Sequence, residues 1–345
     1  MTPDQFVAGL PKAELHMHVE GSIEPELFLR LARRNGVAIR WSTEEELRAA
    51  YRFSDLQDFL NLYYDGCRVL VQAQDFHDVT RAYMRRAQAD RVLHCELFLG
   101  PQGHTSRGVP MAAMMDGVLG AMEEARAQDG ITGGLIAVAQ RHRSEEEALA
   151  MLDEMAPWHG RLLGFGLGGA EVGNPPAKFT RFFERCRSLG FKVVAHAGEE
   201  GPAAYVRDSV ELLQVQRVDH GNACVDDAVL VGELARRRMP LTMCPLSNLK
   251  LQVIDSVAQH PLKRLLDAGL CVTVNSDDPS YFGGYINDNY LACQQAFGLS
   301  RQELAQLARN SFEAAFIPHE QRLAAFAQVD DWLARDGEPE LEAEA

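Results

Sequence analysis

The sequence predicts an α/β protein, a (β/α)8 TIM barrel with a helical insertion after its first strand. Two observations carry the prediction. Eight short apolar runs alternate with amphipathic stretches along most of the chain, the pattern of parallel strands returned by helices. The polar residues of those runs fall at their C-terminal ends and nearly nowhere else, where such a barrel keeps its chemistry. A doubly wound sheet is the structural alternative, but no G-x-G-x-x-G follows the first run.

The first run, KAELHMHV (12–19), carries His16 and His18 two residues apart, on one face of a strand, with Leu15, Met17 and Val19 on the other. A long insertion at 20–91 follows and must hold several helices. The next runs are VLHCELFL (92–99), GGLIAVA (133–139) and LLGFGLG (162–168). KVVAHAG (192–198) brings His196 and, just beyond it, Glu199. QRVDHG (216–221) ends in Asp219 and His220, PLTMCP (240–245) follows, and CVTVNSDD (271–278) ends in Asp277 and Asp278. Helical patterns at 110–128, 144–156, 176–189, 225–238 and 257–268 separate most of these runs. Ser144 with Glu147 forms a capping box at one helix start. One buried histidine is commonplace, but four histidines and three acids at the ends of four strands are not.

Bulk properties bound the function. The 345 residues carry a formal net charge of −15, which argues against nucleic acid or an anionic membrane as partner. No apolar run approaches the roughly 18 residues of a membrane span, and the N-terminus lacks a basic region followed by an apolar one. Seven cysteines, scattered and without C-x-x-C, suit reduced thiols in a cytoplasmic enzyme. A single hydrolase domain is expected over 1–336, followed by an acidic, disordered tail at 337–345. The sequence leaves a homo-oligomer open.

Three histidines and an aspartate make a donor set for a borderline divalent metal, zinc first. His16, His18, His196 and Asp277 are the expected ligands, with one position left for water. Run four ends LGLGG with no lysine to bridge a second metal, so one zinc per chain is expected. Glu199 lies three residues past His196, better placed to give a proton to substrate than to bind the metal. Its pKa must then be raised by burial and neighbouring acids. His220 can orient the water and take its proton, and Asp278 can accept a hydrogen bond from substrate or leaving group. The H-x-E…P-C-x-x-C pattern of the other zinc deaminase fold is absent, and MCPLSN (243–248), with its single cysteine, is expected to shape a loop.

PKAELHMHVEGS, AHAGEEGP, RVDHG and TVNSDDP together resemble the adenosine/adenine deaminase family of the amidohydrolase superfamily. The resemblance spans roughly residues 8 to 325. FSDLQDFLNLYY (53–64), EVGNPPAKF (171–179), CPLSNLKL (244–251) and SDDPSYFGGYINDNY (276–290) resemble its adenine deaminase branch. The resemblance implies a zinc-activated water attacking C6 of a 6-aminopurine, with ammonia leaving. It gives protonation of N1 to Glu199, activation of the water to His220 and a bond to N7 to Asp278. It also implies that the Gly169 N–H meets N3. The stretch holding Phe53, Leu56 and Phe59 is expected either to cover the purine as an apolar lid or to be an ordinary amphipathic helix.

Two departures stand out. The branch usually reads G-L-D-S-S-E where this chain has GLGGAE (166–171), and F-F-D-P-Q-T-H-T where it has FLGPQGHT (98–105). Gly168 and Gly100 thus replace acids, which predicts a roomier and less discriminating pocket. Adenine is the leading substrate. N6-substituted adenines and N9-substituted purines such as adenosine are the alternatives, and Gly168→Asp is expected to shift preference toward adenine. A hydrolase of another cyclic amidine and a noncatalytic purine-binding protein are the remaining readings.

Overall fold

The apolar runs form eight parallel strands, each hydrogen-bonded to the next in chain order. They are β1 (Lys12–His18), β2 (Val92–Leu99), β3 (Thr132–Gln140), β4 (Gly164–Gly168), β5 (Lys192–Ala197), β6 (Arg217–His220), β7 (Pro240–Met243) and β8 (Cys271–Val274). The last strand meets the first just past its end. His18 N donates to Asp277 O at 2.9 Å and Asp277 N to His16 O at 3.0 Å, closing the barrel. The result is a (β/α)8 barrel. This computed structural model describes residues 1–335, so the acidic tail expected at 337–345 lies outside the described residues.

The insertion after β1 is helical, as expected. Following α1 (Pro3–Gly9), which precedes β1, it holds α2 (Pro25–Asn35), α3 (Glu44–Ala49), α4 (Leu56–Cys67) and α5 (Ala73–Ala89). On α4, Leu56, Phe59, Leu60, Tyr63 and Cys67 are buried at the i, i+3, i+4, i+7 spacing of one helix face. The Asp55 side chain accepts from Asp58 N at 2.8 Å and caps its start. The Ser144–Glu147 capping box also forms, at the helix Glu145–Glu154. The stretch expected as one helix at 176–189 divides into a 3-10 turn, Pro176–Phe179, and a helix, Thr180–Ser188.

The strand interiors are more polar than the sequence reading allowed. Arg217 and Glu96 form an ion pair inside the barrel, both fully buried. Glu14 accepts from Ser276 N at 3.0 Å and from Ser276 Oγ at 3.1 Å. At the opposite end of β1, buried Lys12 donates to Val7 O, Asp90 O and Asn287 Oδ1 at 2.8 to 3.0 Å. These groups satisfy one another, which is how a barrel tolerates them. All seven cysteines are buried and unpaired. Among the described residues no helix is long and apolar enough to cross a membrane.

Candidate functional site

His16 and His18 leave β1 on its inner face, and the β1–β8 closure sets Asp277 between them. His16 Nε2 lies 3.4 Å and His18 Nε2 3.5 Å from Asp277 Oδ1. From β5, His196 brings its Nε2 to 3.1 Å from His18 Nε2. Donor atoms of His16, His18 and His196 lie within 4.8 Å of one another, as do those of His16, His220 and Asp277. The four expected ligands therefore converge on one place. His16 Nε2 is buried with no hydrogen-bond partner, and two imidazole nitrogens face each other at contact distance. Such an arrangement calls for a cation, so the residues fit a metal. MCPLSN, expected as a loop, instead leads into a short helix, Pro245–Lys250, whose Ser247 hydroxyl donates to Asp277 Oδ2 at 2.7 Å and orients it.

Backbone strain marks the same spot. His220 (φ 65°) and Asp277 (φ 63°) both occupy the left-handed region, where a side chain costs about 1–3 kcal/mol and persists only if its surroundings hold it. Asp278 is seated through glycine at position 21, since a Cβ there would lie 1.9 Å from Asp278 Oδ1.

Glu199 and His220 stand side by side, Oε2 to Nε2 3.5 Å. Burial, and then the charge of Asp277, pushes the Glu199 carboxyl well above its usual range. Burial and the neighbouring His16 push His220 well below the usual imidazole range. Both shifts favour the uncharged forms of the two groups. Asp278 is raised well above the carboxylate range by burial and by Asp277 beside it.

The loop carrying Glu199 hangs on an anchor that the sequence reading left without a role. Buried Glu171 accepts four backbone N–H groups, from Gly198, Glu199, Glu200 and Gly201, at 2.7 to 3.0 Å. Arg141 steadies the same region by donating to His196 O at 2.7 Å.

A cavity opens over the donor cluster, roofed by Leu56, Phe59, Leu60 and Tyr63 of α4 and by Phe282. Leu56 and Phe59 thus line it as expected. Phe53 does not; it stacks on Phe59 and Phe282 from behind, at ring separations of 5.3 and 6.3 Å. Gly168 and Gly169 line the opposite wall. Gly169, with φ 91°, takes a conformation natural to glycine, and that bares its backbone to the cavity. The space next to Gly168 is already filled, because a Cβ there would lie 2.9 Å from Val138 Cγ1 and 3.6 Å from the His196 ring. The extra room expected at this position does not exist.

An acid does stand beside Gly100. Glu20, two residues beyond His18, lines the cavity and is buried. Its Oε1 accepts from Gly100 N and faces His104 Nε2, both at 3.0 Å. Its Oε2 is buried without a partner. Burial opposes the charge, but His104 and the Gly100 N–H hold the carboxyl below its usual range. The signal was in the sequence: in HMHVE the acid continues the alternate spacing of the two histidines.

Known proteins resemble this chain over nearly its whole length. The family model "Adenosine deaminase" matches residues 11–332. An adenine deaminase of Rhodopseudomonas palustris is 58% identical over 332 residues, covering 96% of this chain and 97% of the relative. One from Sphingopyxis alaskensis is 56% identical over 94% of this chain and 95% of its own length. The crystal structure of adenine deaminase from Arthrobacter aurescens superposes with a TM-score of 0.93 at 45% identity, covering 94% of this chain and 99% of that one. A zinc-bound amidohydrolase from Burkhoderia ambifaria gives 0.88 at 29% identity, over 97% of this chain and 96% of its own. With its barrel matched from the first strand through the last helices, the chain belongs to the adenosine deaminase family of the amidohydrolase superfamily.

Proposed function

We propose that the protein hydrolyses adenine to hypoxanthine and ammonia, using one zinc ion held by His16, His18, His196 and Asp277. The carrying observation is buried Glu199 3.5 Å from buried His220 at the edge of the donor cluster, the carboxyl pushed up and the imidazole pushed down by burial. Adenine deaminases more than half identical to this chain over nearly its whole length support the same reaction. A bound divalent ion supplies Lewis acidity and brings the pKa of a water near 7.

The chain's own groups divide the remaining work. Glu199 gives its proton to N1, which draws electrons from C6 and opens it to attack. His220 takes one proton from the attacking water and passes it to the 6-amino group, which leaves as ammonia as the C6–N6 bond breaks; the other water proton returns to Glu199, and hypoxanthine keeps the hydrogen on N1. The Gly169 N–H points to N3. Asp278, its carboxyl raised by burial and by Asp277 beside it, engages N7. Leu56 and Phe59 cover the ring and keep bulk water out.

The substrate is read by Glu20. Its free carboxylate oxygen needs an N–H partner, and adenine supplies one at N9 while Asp278 engages N7. A nucleoside lacks that hydrogen and leaves a buried charge unpaired, at a cost of 1–3 kcal/mol or more. A nucleotide adds repulsion between phosphate and carboxylate. The test is kcat/KM of the zinc-loaded protein with adenine, adenosine, AMP and N6-isopentenyladenine. Adenine is expected to lead adenosine by at least about 100-fold. A win for adenosine or AMP overturns the reading of Glu20, and no ammonia from any of the four overturns the proposed activity.

A further inference from the structure

On the side of the donor cluster away from the cavity, two of its histidines converge on one carboxylate. Asp219 on β6 is fully buried. Its Oδ2 lies 3.3 Å from His196 Nδ1, and its Oδ1 receives the Thr242 hydroxyl at 3.0 Å. Thr242 Oγ1 in turn lies 3.0 Å from His16 Nδ1. The register explains the alignment: His196 pairs with Asp219 across β5–β6, and Asp219 with Thr242 across β6–β7. Three inward side chains thus form one layer, and His16 reaches it from β1. Arg217, two residues before Asp219, holds its Nε 3.6 Å from Asp219 Oδ1 and pairs below with Glu96.

Counting hydrogens fixes the direction of this chain. An ionised carboxylate only accepts, and a threonine hydroxyl has one hydrogen. Thr242 spends its hydrogen on Asp219, so its oxygen can only accept from His16, whose proton must sit on Nδ1. His196 Nδ1 lies 3.3 Å from the same carboxylate, outside hydrogen-bond geometry, and the negative charge beside it favours a proton on that nitrogen too. Both rings are left with bare Nε2 atoms aimed into the donor cluster. Were the hydroxyl turned the other way, His16 would carry its hydrogen on Nε2 and could not bind a metal.

We propose that Asp219, directly for His196 and through Thr242 for His16, sets the tautomer of both histidines and so readies the site to bind its metal. Both are positioning residues, since neither touches substrate or metal. The inference rests on the proposed metal-binding role of His16 and His196. Outer partners of metal-bound histidines are typically worth 10- to 100-fold in metal affinity.

The test measures zinc affinity by chelator competition, and the visible spectrum of the cobalt-substituted full chain, for wild type, Thr242→Val, Thr242→Ser and Asp219→Asn. Thr273→Val is the control, an equally buried barrel threonine whose hydroxyl meets Leu241 O and Asn275 but no histidine. Thr242→Val is expected to bind zinc 10- to 100-fold more weakly with an altered cobalt spectrum, Thr242→Ser to recover most of the affinity, and the control to stay within about threefold. Wild-type affinity in Thr242→Val overturns the proposal while leaving the metal assignment intact. A wild-type chain that binds no divalent ion overturns both. If Thr242→Val does not fold, Asp219→Asn decides, with loss of affinity in the folded protein supporting the proposal and retention overturning it.

Discussion

Single residues set the chemistry here through burial, and burial makes predictions of its own. Lys12 is driven down to a pKa of about 7, mainly because it is sealed from water, while Asp90 and Glu14 oppose the shift. In the unfolded chain the same amine titrates near 10.5. Between those pH values the unfolded chain holds a proton that the folded chain lacks. Stability from this group therefore rises with pH from about 7 to about 10.5. The slope is at most about 1.4 kcal/mol per pH unit. Urea unfolding of wild type and Lys12→Met between pH 7 and 9.5 checks it: the variant is less stable throughout, and its stability should rise less steeply with pH. Parallel slopes would show that Lys12 keeps its charge in the barrel, consistent with the three acceptors around its ammonium. The crowding at Gly168 argues at the same scale. An aspartate there presses on Val138 and the His196 ring, so Gly168→Asp should cost activity rather than sharpen preference for adenine.

Among the elements, the loop after β5 shows most directly how geometry is held. Its four consecutive N–H groups all end on Glu171, and Glu199, the proposed proton donor, rides on that loop. Glu171→Gln keeps the size but exchanges an acceptor for a donor, leaving part of the set unpaired. We expect about 1–3 kcal/mol of lost stability and a fall in kcat of at least tenfold with a smaller change in KM. Urea unfolding and steady-state kinetics measure the two. This anchor was not legible in the sequence, where Glu171 is one more acid in a loop 27 to 30 residues from its partners. The strands themselves were legible: apolar runs with β-branched residues and polar ends located β2 to the residue and the others to within a few. The convergence of His16, His18, His196 and Asp277 was legible too, because strand ends of a barrel meet at one rim. Pairings that depend on lateral register, such as Asp219 with Thr242, needed coordinates. Phe53 was misread because its spacing from Leu56 and Phe59 suits a shared helical face, whereas α4 begins only at Leu56.

At the scale of the whole molecule, the donor cluster ties the ends of the barrel together. His16 and His18 come from the first strand, His196 from the fifth, and Asp277 from just past the eighth. An ion held by all four would staple the closure between β1 and β8. Removing it should therefore loosen the fold as well as abolish turnover. Zinc at one hundred times its Kd should stabilise the chain by about 2.7 kcal/mol over the chelated form. Thermal unfolding with and without chelator, followed by zinc addition, reads this out. An unchanged midpoint would mean that the barrel closes without help from the metal.

The seven buried thiols have a practical consequence. None meets solvent in the folded protein, and burial raises the pKa of each, Cys271 and Cys224 to about 12, which suppresses the reactive thiolate. A maleimide should pass over the native molecule and react as it opens. Thiol consumption then serves as a clock for unfolding that needs no engineered probe. Cys67, the last residue of α4 and part of the cavity wall, would be the first to report if the roof lifted by itself. One cysteine introduced on the surface could also be labelled without removing any of the native seven.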